Sequence, residues 1–231
     1  MKLLTFDLET TGVDTRTDRI VTAFVGLMND QGTFEQEYHP LVNPGVEIPE
    51  GATAVHGITT AHARDNGIAP SKALEQLRFI IESECVGQGI PLADFNAPFD
   101  MTMLKHELER YGLPPLEMSL INVIDPMVLD KRLTPIRRGK SRLTDIAPLY
   151  GVPVEANAHD AGADCLMTGR IALTMLKMPQ FRDLVIGDLH DAQVGWKAKQ
   201  AATLQAYFRG KGGKPTAIVD GGWPIQNGVG A

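Results

Sequence analysis

Residues 2–12 read KLLTFDLETTG, and this stretch predicts the first strand of the fold. An apolar run that ends in two threonines and a glycine is typical of a buried strand entering a turn. Because side chains alternate along a strand, Asp7 and Glu9 are expected to share one face, while Phe6 and Leu8 point into the core. Two like charges about 4 Å apart repel by roughly 4 kcal/mol at an effective dielectric near 20. Such a pair therefore requires protons or hard divalent cations with oxygen ligands.

The same Asp-x-Glu pattern also occurs at solvated strand ends, so the interpretation depends on the rest of the chain. With 231 residues and 43% hydrophobic content, the chain can form one globular domain with a core and room for an appendage. This composition excludes a disordered or fibrous protein. No run reaches the ~18 apolar residues of a membrane helix, and the N-terminus lacks a signal-peptide pattern. We therefore expect no membrane partner and a cytoplasmic location.

Charge and cysteine content narrow the possible functions. The net charge of −6 argues against a protein that coats nucleic acid through its surface charge. It leaves open an enzyme that acts on nucleic acid, because bound cations can supply the local positive charge. Cys85 and Cys165 are far apart and lack the spacing of zinc ligands, which fits a reducing compartment.

The remaining pattern predicts an α/β fold. Two strands follow the Gly12 turn and complete an antiparallel meander of three, after which strands and helices alternate. The further predicted strands cover residues 19–28, 33–42, 89–93 and 120–124. The predicted helices begin at or near Thr59, Pro70, Pro98, Pro126, Leu143 and Ala158. Residues 43–51 are expected to form a loop, because they contain two prolines and several turn-forming residues. A mixed five-stranded sheet flanked by helices is the consequence.

The chain is expected to divide after a long helix that spans residues 158–178 and ends at Pro179. Residues 1–178 would form the main domain and residues 179–231 a C-terminal helical extension. Within that extension, residues 180–209 predict one or two helices. The glycine-rich stretch 211–231 predicts a flexible, loosely ordered tail.

Two further polar segments are candidates for partners of the first carboxylates. Asn96 and Asp100 lie four residues apart where a strand gives way to a helix, although a carboxylate in a first helical turn can also serve only the helix dipole. His159 and Asp164 lie at the start of the long helix, where Asp160 can act as a cap. This helix is largely apolar, so Asp164 needs a partner if it faces the core.

Three segments, taken together, resemble a known family. Residues 6–12 (FDLETTG), 96–100 (NAPFD) and 159–164 (HDAGAD) resemble, in order and approximate spacing, the three motifs of the DEDD exonuclease superfamily. The histidine five residues before the last aspartate matches its DEDDh branch, which includes the proofreading epsilon subunit of bacterial polymerase III and ribonuclease T. The resemblance implies a ribonuclease H-like fold and a DEDDh exonuclease domain over residues 1–178.

The resemblance also implies roles for individual residues. Four carboxylates would hold two divalent cations, Mg²⁺ or Mn²⁺, and His159 would be the general base. These carboxylates are Asp7, Glu9, Asp100 and Asp164. Phe95 stands where this branch usually has a histidine, and Cys165 where an alanine is common. His56 lies in a loop that resembles one lining the 3′ nucleotide in relatives, and Asn96 belongs to the second motif. Adjacency to the carboxylates suggests further contacts with this nucleotide: the backbone amides of Thr10, Thr11 and Gly12 would receive its 3′-hydroxyl, and Phe99 or Phe95 would wedge against its base.

Hydrolysis of nucleic acid from its 3′ end is the function that these features favour. The predicted function is that of a 3′→5′ exonuclease that acts on single-stranded DNA and releases nucleoside 5′-monophosphates. The alternatives are an exoribonuclease that trims RNA 3′ ends, and a proofreading subunit held by a DNA polymerase through residues 180–231. A catalytically inactive binding module is disfavoured, since all five catalytic positions are filled. The sequence leaves the biological pathway and the oligomeric state open.

Overall fold

A mixed sheet of five strands lies at the centre of the molecule in the computed structural model, which describes residues 1–137, 139–155 and 160–228. The strands are β1 (Leu3–Thr10), β2 (Ile20–Met28), β3 (Phe34–Tyr38), β4 (Leu92–Ala93) and β5 (Val123–Ile124). Their order is β3-β2-β1-β4-β5. The first three pair antiparallel, whereas β4 joins β1 and β5 joins β4 in parallel. The predicted mixed sheet with its meander is therefore confirmed.

Helices cover both faces of this sheet. Within the described residues they are α1 (Glu50–His56), α2 (Thr60–Asn66), α3 (Pro70–Ile81), α4 (Ala97–Arg110), α5 (Pro126–Leu133), α6 (Leu143–Ile146), α7 (Ala161–Leu176) and α8 (Ile186–Arg209). A π-helical segment, Glu82–Gly87, extends α3, and short 3₁₀ turns occur at Met118–Leu120 and Ala147–Tyr150. None of the described helices combines the length and the apolar character that crossing a bilayer requires.

The alternation of side chains along β1 separates the two layers. Leu4, Phe6 and Leu8 pack against α3 and α4 on one face. Leu3 points to the other face, where α5, α7 and α8 pack. Since Asp7 and Glu9 share the parity of Leu3, they face the α7 layer, as the strand pattern predicted.

Helix α7 lies unusually close to the sheet. An ideal Cβ at Gly169 would lie 2.5 Å from the sulfur of Met28 and 2.8 Å from Cγ2 of Thr5. A larger residue would force the side chains of Met28 and Thr5 to shift, so the glycine favours this approach. The close packing brings the N-terminal turn of α7 to the end of β1.

Several elements differ from the sequence-based expectation. Residues 50–56, expected in part as loop, form α1, which buries no residue and therefore shows no apolar periodicity. Strand β3 ends at Tyr38 instead of Val42, because Pro40 cannot donate to the ladder and only isolated bridges follow. The two parallel strands shorten to two residues each.

The C-terminal region packs on the rest of the molecule. A single long helix, α8, contacts α5 and β5, so residues 186–209 share the hydrophobic core of the preceding residues. Beyond it, Trp223 is only 6% exposed, and the amide of Gln226 donates to Oγ1 of Thr102 at 2.9 Å. The expectation of a flexible tail is therefore wrong for residues 219–228. Burial of an aromatic side chain outweighs the conformational freedom of the neighbouring glycines.

Candidate active site and cation-binding site

Three carboxylates from two elements meet at the end of β1. Asp7 and Glu9 extend from the strand, and Asp164 extends from the first turn of α7. Each offers an oxygen, and these oxygens all lie within 4.8 Å of one another. All three side chains are half-buried, so the cluster remains open to a ligand. The predicted convergence of these three residues is present in the structure.

Asp100 borders this cluster from the opposite layer. It lies in the first turn of α4, is only 4% exposed, and accepts a hydrogen bond from the amide of Leu8 at 3.2 Å. That bond ties α4 to β1 between Asp7 and Glu9. Among the neighbouring charges, Asp100 has the largest effect in raising the pKa of Asp7. Asp100 therefore lies beside Asp7, but it does not belong to the group of three carboxylates whose oxygens lie within 4.8 Å of one another.

Burial and mutual repulsion shift the pKa values of the group upward. Burial, followed by the charges of Asp100 and Asp164, holds the pKa of Asp7 well above its usual range. Burial, then Asp164, then Asp100 raise the pKa of Glu9 to about 8. Burial raises the pKa of Asp100 to about 8. The cluster thus retains protons near neutral pH unless cations neutralise it, and its hard oxygen donors fit a divalent cation such as Mg²⁺ or Mn²⁺.

A further carboxyl group, that of Asp94, was missed by the sequence-based reasoning. Asp94 follows β4, is fully buried, and accepts no hydrogen bond from any described donor. Its carboxyl group faces that of Asp100, and burial together with that neighbour raises its pKa well above the usual range. When it is protonated, Asp94 can act as a donor towards the neighbouring carboxyl group of Asp100. The sequence signal that could have identified Asp94 is a charged residue placed directly after an apolar strand.

Asn96 opens the segment that carries Asp100. It adopts a left-handed φ of 71° and immediately precedes α4. The flanking aromatic side chains, Phe95 and Phe99, are half-buried and pack against opposite layers of the core. Their predicted contact with a terminal base stays a prediction.

The threonine turn after Glu9 is fixed by internal hydrogen bonds. The amide of Thr11 donates to the carbonyl of Arg19 at 2.9 Å, and its hydroxyl donates to Asp18 at 3.1 Å. The expectation that the Thr11 amide binds a 3′-hydroxyl is therefore wrong, because that amide already has an acceptor. For Thr10 and Gly12 the same role stays a prediction.

His56 lies beside this turn, at the end of α1. Its Nδ1 accepts a hydrogen bond from the amide of Ile58 at 3.1 Å. Its buried Nε2 has no hydrogen-bond partner of normal geometry. Burial lowers the pKa of His56, and the backbone carbonyl of Thr10 opposes this shift. The ring is therefore a neutral group close to the end of β1, and its contact with the 3′ nucleotide stays a prediction.

The start of α7 is capped by Asp160, whose side chain accepts from the amides of Gly162 at 3.1 Å and Ala163 at 3.2 Å. The capping role considered from the sequence is thus correct. The charge of Asp160 also contributes to the raised pKa of Glu9, so this end of α7 adjoins the cluster. His159 lies outside the described residues, and its role as a base stays a prediction.

Comparisons with known proteins agree with this geometry. The family model described as "Exonuclease" matches residues 4–172. The PolC-type DNA polymerase III of Streptococcus suis is 30% identical over 174 residues, which cover 74% of this chain and 11% of that protein. The DNA polymerase III epsilon subunit of Rickettsia felis is 32% identical over 139 residues, covering 58% of this chain and 57% of that one. The chain therefore spans about a tenth of the first relative and just over half of the second.

A solved structure shows the same fold. Escherichia coli exonuclease I in complex with a dT13 oligonucleotide superposes with a TM-score of 0.63 at 20% identity, covering 83% of this chain and 43% of that one. The ribonuclease H-like fold expected from the three motifs is thereby confirmed. The family match spans most of the sequence and contains all four predicted carboxylates, three of which cluster at the end of β1. The chain therefore belongs to this exonuclease family.

Proposed function

We propose that the chain is a 3′→5′ exonuclease that hydrolyses single-stranded DNA and releases nucleoside 5′-monophosphates. Membership in the exonuclease family gives the reaction class, phosphodiester hydrolysis at an end of a nucleic acid. The observation that carries the proposal is the meeting of Asp7, Glu9 and Asp164 within 4.8 Å, with Asp100 bordering them. A half-buried cluster of this kind repels itself and is stabilised by cations.

The proposal assigns this cluster to two divalent cations, Mg²⁺ or Mn²⁺. Oxygen-only donors suit these hard ions better than zinc or copper. When bound, such ions supply a lowered pKa for the attacking water and stabilisation for the leaving alkoxide. The four carboxylates would hold them, and Leu8 would keep Asp100 oriented through its amide.

His159 is proposed as the general base, since an imidazole with an unperturbed pKa near 6.5 can accept a proton from water at neutral pH. It precedes the helix cap Asp160 directly in sequence. The prediction is that His159→Ala lowers kcat about 100-fold or more, in line with the usual contribution of a general base. Its measurement is steady-state hydrolysis, with Asp160→Asn as a control for an altered helix start.

The preference for single-stranded DNA is supported by the relative crystallised with a dT13 oligonucleotide and by the two aromatic side chains of the Asn96 segment. Aromatic rings stack on unpaired bases without reading their sequence. Phe95 and Phe99 are the proposed stacking residues, and His56 the proposed neighbour of the 3′ nucleotide.

A second proposal, a proofreading subunit held by a DNA polymerase, is favoured by the polymerase III names of the curated relatives. The sequence predicted that the polymerase would bind residues 180–231. Trp223 is buried against its own chain and is therefore not available to a partner, whereas α8 leaves Leu204 and Tyr207 exposed. Co-elution with a replicative polymerase, lost in a Leu204→Asp/Tyr207→Asp variant, would support this proposal.

The test of the main proposal is a nuclease assay with Mg²⁺ or Mn²⁺ on single- and double-stranded DNA and RNA of one sequence, labelled at either terminus. We expect mononucleotide release from the 3′ end of single-stranded DNA, and no release without the metal. Asp7→Asn is expected to abolish turnover while leaving the fold intact. Equal turnover in Asp7→Asn would refute the site, and faster digestion of RNA would assign the exoribonuclease activity instead.

A further inference from the structure

The turn that leads into α4 needs external support. Asn96 is the only described residue other than glycine with a positive φ, 71°. The left-handed region is unfavourable for residues with a side chain and persists where the surroundings impose it. The turn leads directly to Asp100 in the first turn of α4. Whatever holds the turn therefore also sets the position of Asp100.

Asp125 holds this turn. Its Oδ1 accepts from the amide of Asn96 at 3.1 Å, and its Oδ2 accepts from the amide of Ala97 at 3.2 Å. The same carboxylate caps α5 by accepting from the amide of Met127 at 2.9 Å. It is completely buried, so its orientation depends on the donors around it.

The C-terminal segment supplies one of those donors. The indole N–H of Trp223 donates to Oδ2 of Asp125 at 3.3 Å, the oxygen that also accepts from Ala97. The indole ring lies 4.9 Å from the imidazole of His190, whose Nδ1 accepts from the amide of Val123 at 2.9 Å. Trp223 thus connects to the first residue of β5 through a packed aromatic pair.

The segment is attached to α4 at a second point. The amide of Gln226 donates to the hydroxyl of Thr102, two residues after Asp100. Ile225 packs in the same hydrophobic layer as α4. The start of α4, through Asp125, and its second turn, through Thr102, therefore each have a contact that leads back to residues 223–226.

We propose that Trp223 is a positioning residue for the cation site: its indole N–H fixes Asp125, which fixes the Asn96 turn and thereby Asp100. The inference rests on the proposed function, since it gives Asp100 its role as a cation ligand. It makes the C-terminal segment part of the nuclease site, although the segment lies outside the matched family region of residues 4–172.

The test compares Trp223→Phe with Trp196→Phe in the full chain. Phenylalanine keeps an apolar ring and removes only the N–H donor and part of the ring. The two tryptophans are the only ones in the sequence, and Trp196 contacts Phe181 and Arg132 instead of Asp125. Mn²⁺ binding is measured by isothermal titration calorimetry without substrate, at a temperature at which circular dichroism shows each variant folded. Steady-state hydrolysis of a DNA oligonucleotide then gives kcat and KM separately.

For Trp223→Phe we expect about tenfold weaker Mn²⁺ binding and a lower kcat with an unchanged KM, as the loss of a hydrogen bond to a charged group predicts. Trp196→Phe is expected to retain both values. On an Asp125→Asn background, Trp223→Phe should add little, because the two residues act in one chain of contacts. Wild-type Mn²⁺ affinity in Trp223→Phe, with only a lower melting temperature, would overturn the proposal. A wild-type chain that binds Mn²⁺ but cleaves no nucleic acid would contradict the proposed function. The Mn²⁺ affinities of wild type and Trp223→Phe would still decide whether Trp223 positions the cation site.

Discussion

Asp94 shows how a single buried carboxyl group can affect the whole site. It lacks an N–H partner among the described residues and faces Asp100, so its charged form is opposed by burial and by repulsion. An asparagine of the same shape would offer an N–H donor to Asp100 without a charge. We therefore expect the native carboxyl group to stabilise the metal-free protein less than an asparagine would at this position.

The first prediction concerns this residue. We expect Asp94→Asn to stabilise the metal-free protein by about 1–3 kcal/mol at pH 8.5, and by less at pH 6, because the raised pKa of the native carboxyl group favours its neutral form increasingly as the pH falls. Urea unfolding at both pH values measures the difference. Asp65→Asn, at an exposed position, serves as the control. A variant less stable than wild type at both pH values would contradict this account of Asp94.

The second prediction concerns pH. The pKa of Glu9 is raised from 4.5 to about 8, so its contribution to stability is fully present below about pH 4.5 and is lost as the pH rises through 8. The melting temperature of the metal-free protein should therefore fall across this window, and Glu9→Gln should flatten the fall. Saturating Mg²⁺ should oppose it, because cations bind the deprotonated form. Melting curves between pH 5 and pH 9, roughly the range over which the group titrates, test this; a wild-type profile no steeper than that of Glu9→Gln would argue against the shift.

At the level of elements, the approach of α7 to the sheet decides where Asp164 lies. Gly169 permits that approach, since a Cβ there would overlap Met28 and Thr5. The third prediction is that Gly169→Ala destabilises the protein by about 1–3 kcal/mol through overpacking. Gly195→Ala in α8, where a Cβ meets nothing within 4 Å, should instead stabilise by about 0.5–1 kcal/mol. Chemical denaturation of both variants measures this, and equal effects would contradict the packing argument.

The sequence between α5 and α6 contains four basic residues, Arg137, Arg138, Lys140 and Arg142. The first of these has a structural role. Arg137 forms an ion pair with Asp130, which is completely buried and also accepts from the hydroxyl of Tyr150 at 2.8 Å. The fourth prediction is that Arg137→Ala costs about 3–5 kcal/mol, because it leaves a buried charge unpaired. Arg142→Ala, which breaks the exposed pair with Asp145, should cost about 0–1 kcal/mol. Comparable losses in the two variants, measured by thermal unfolding, would contradict the distinction.

The sequence predicted those elements whose evidence is local. Apolar alternation gave the meander, and Asp125 followed by a proline correctly predicted the start of α5. Helix α1 was missed because it buries no residue, so no apolar period marks it. The second role of Asp125, at the Asn96 turn, joins positions 29 residues apart, and the bond from Trp223 joins positions 98 apart. No local pattern records such contacts.

For the whole molecule, the central claim is that β1, α4 and α7 bring carboxylates together to hold divalent cations. The sequence motifs predicted which carboxylates form the site. The distances between these carboxylates depend on how both helical layers pack on the sheet. The C-terminal segment contributes to that packing through Trp223 and Gln226. The proposed role of Trp223 would extend the residues that support the site to this segment, beyond the family match over residues 4–172.

The most direct test of that claim is a Mn²⁺ titration followed by electron paramagnetic resonance at about pH 8, where the raised pKa of Glu9 lies. The protein is compared with Asp7→Asn and with Glu109→Gln, which removes an exposed carboxylate of α4 that pairs with Lys105. We predict saturable binding in the wild type and in Glu109→Gln, and its loss in Asp7→Asn. Undiminished binding in Asp7→Asn, or none in the wild type, would contradict the account.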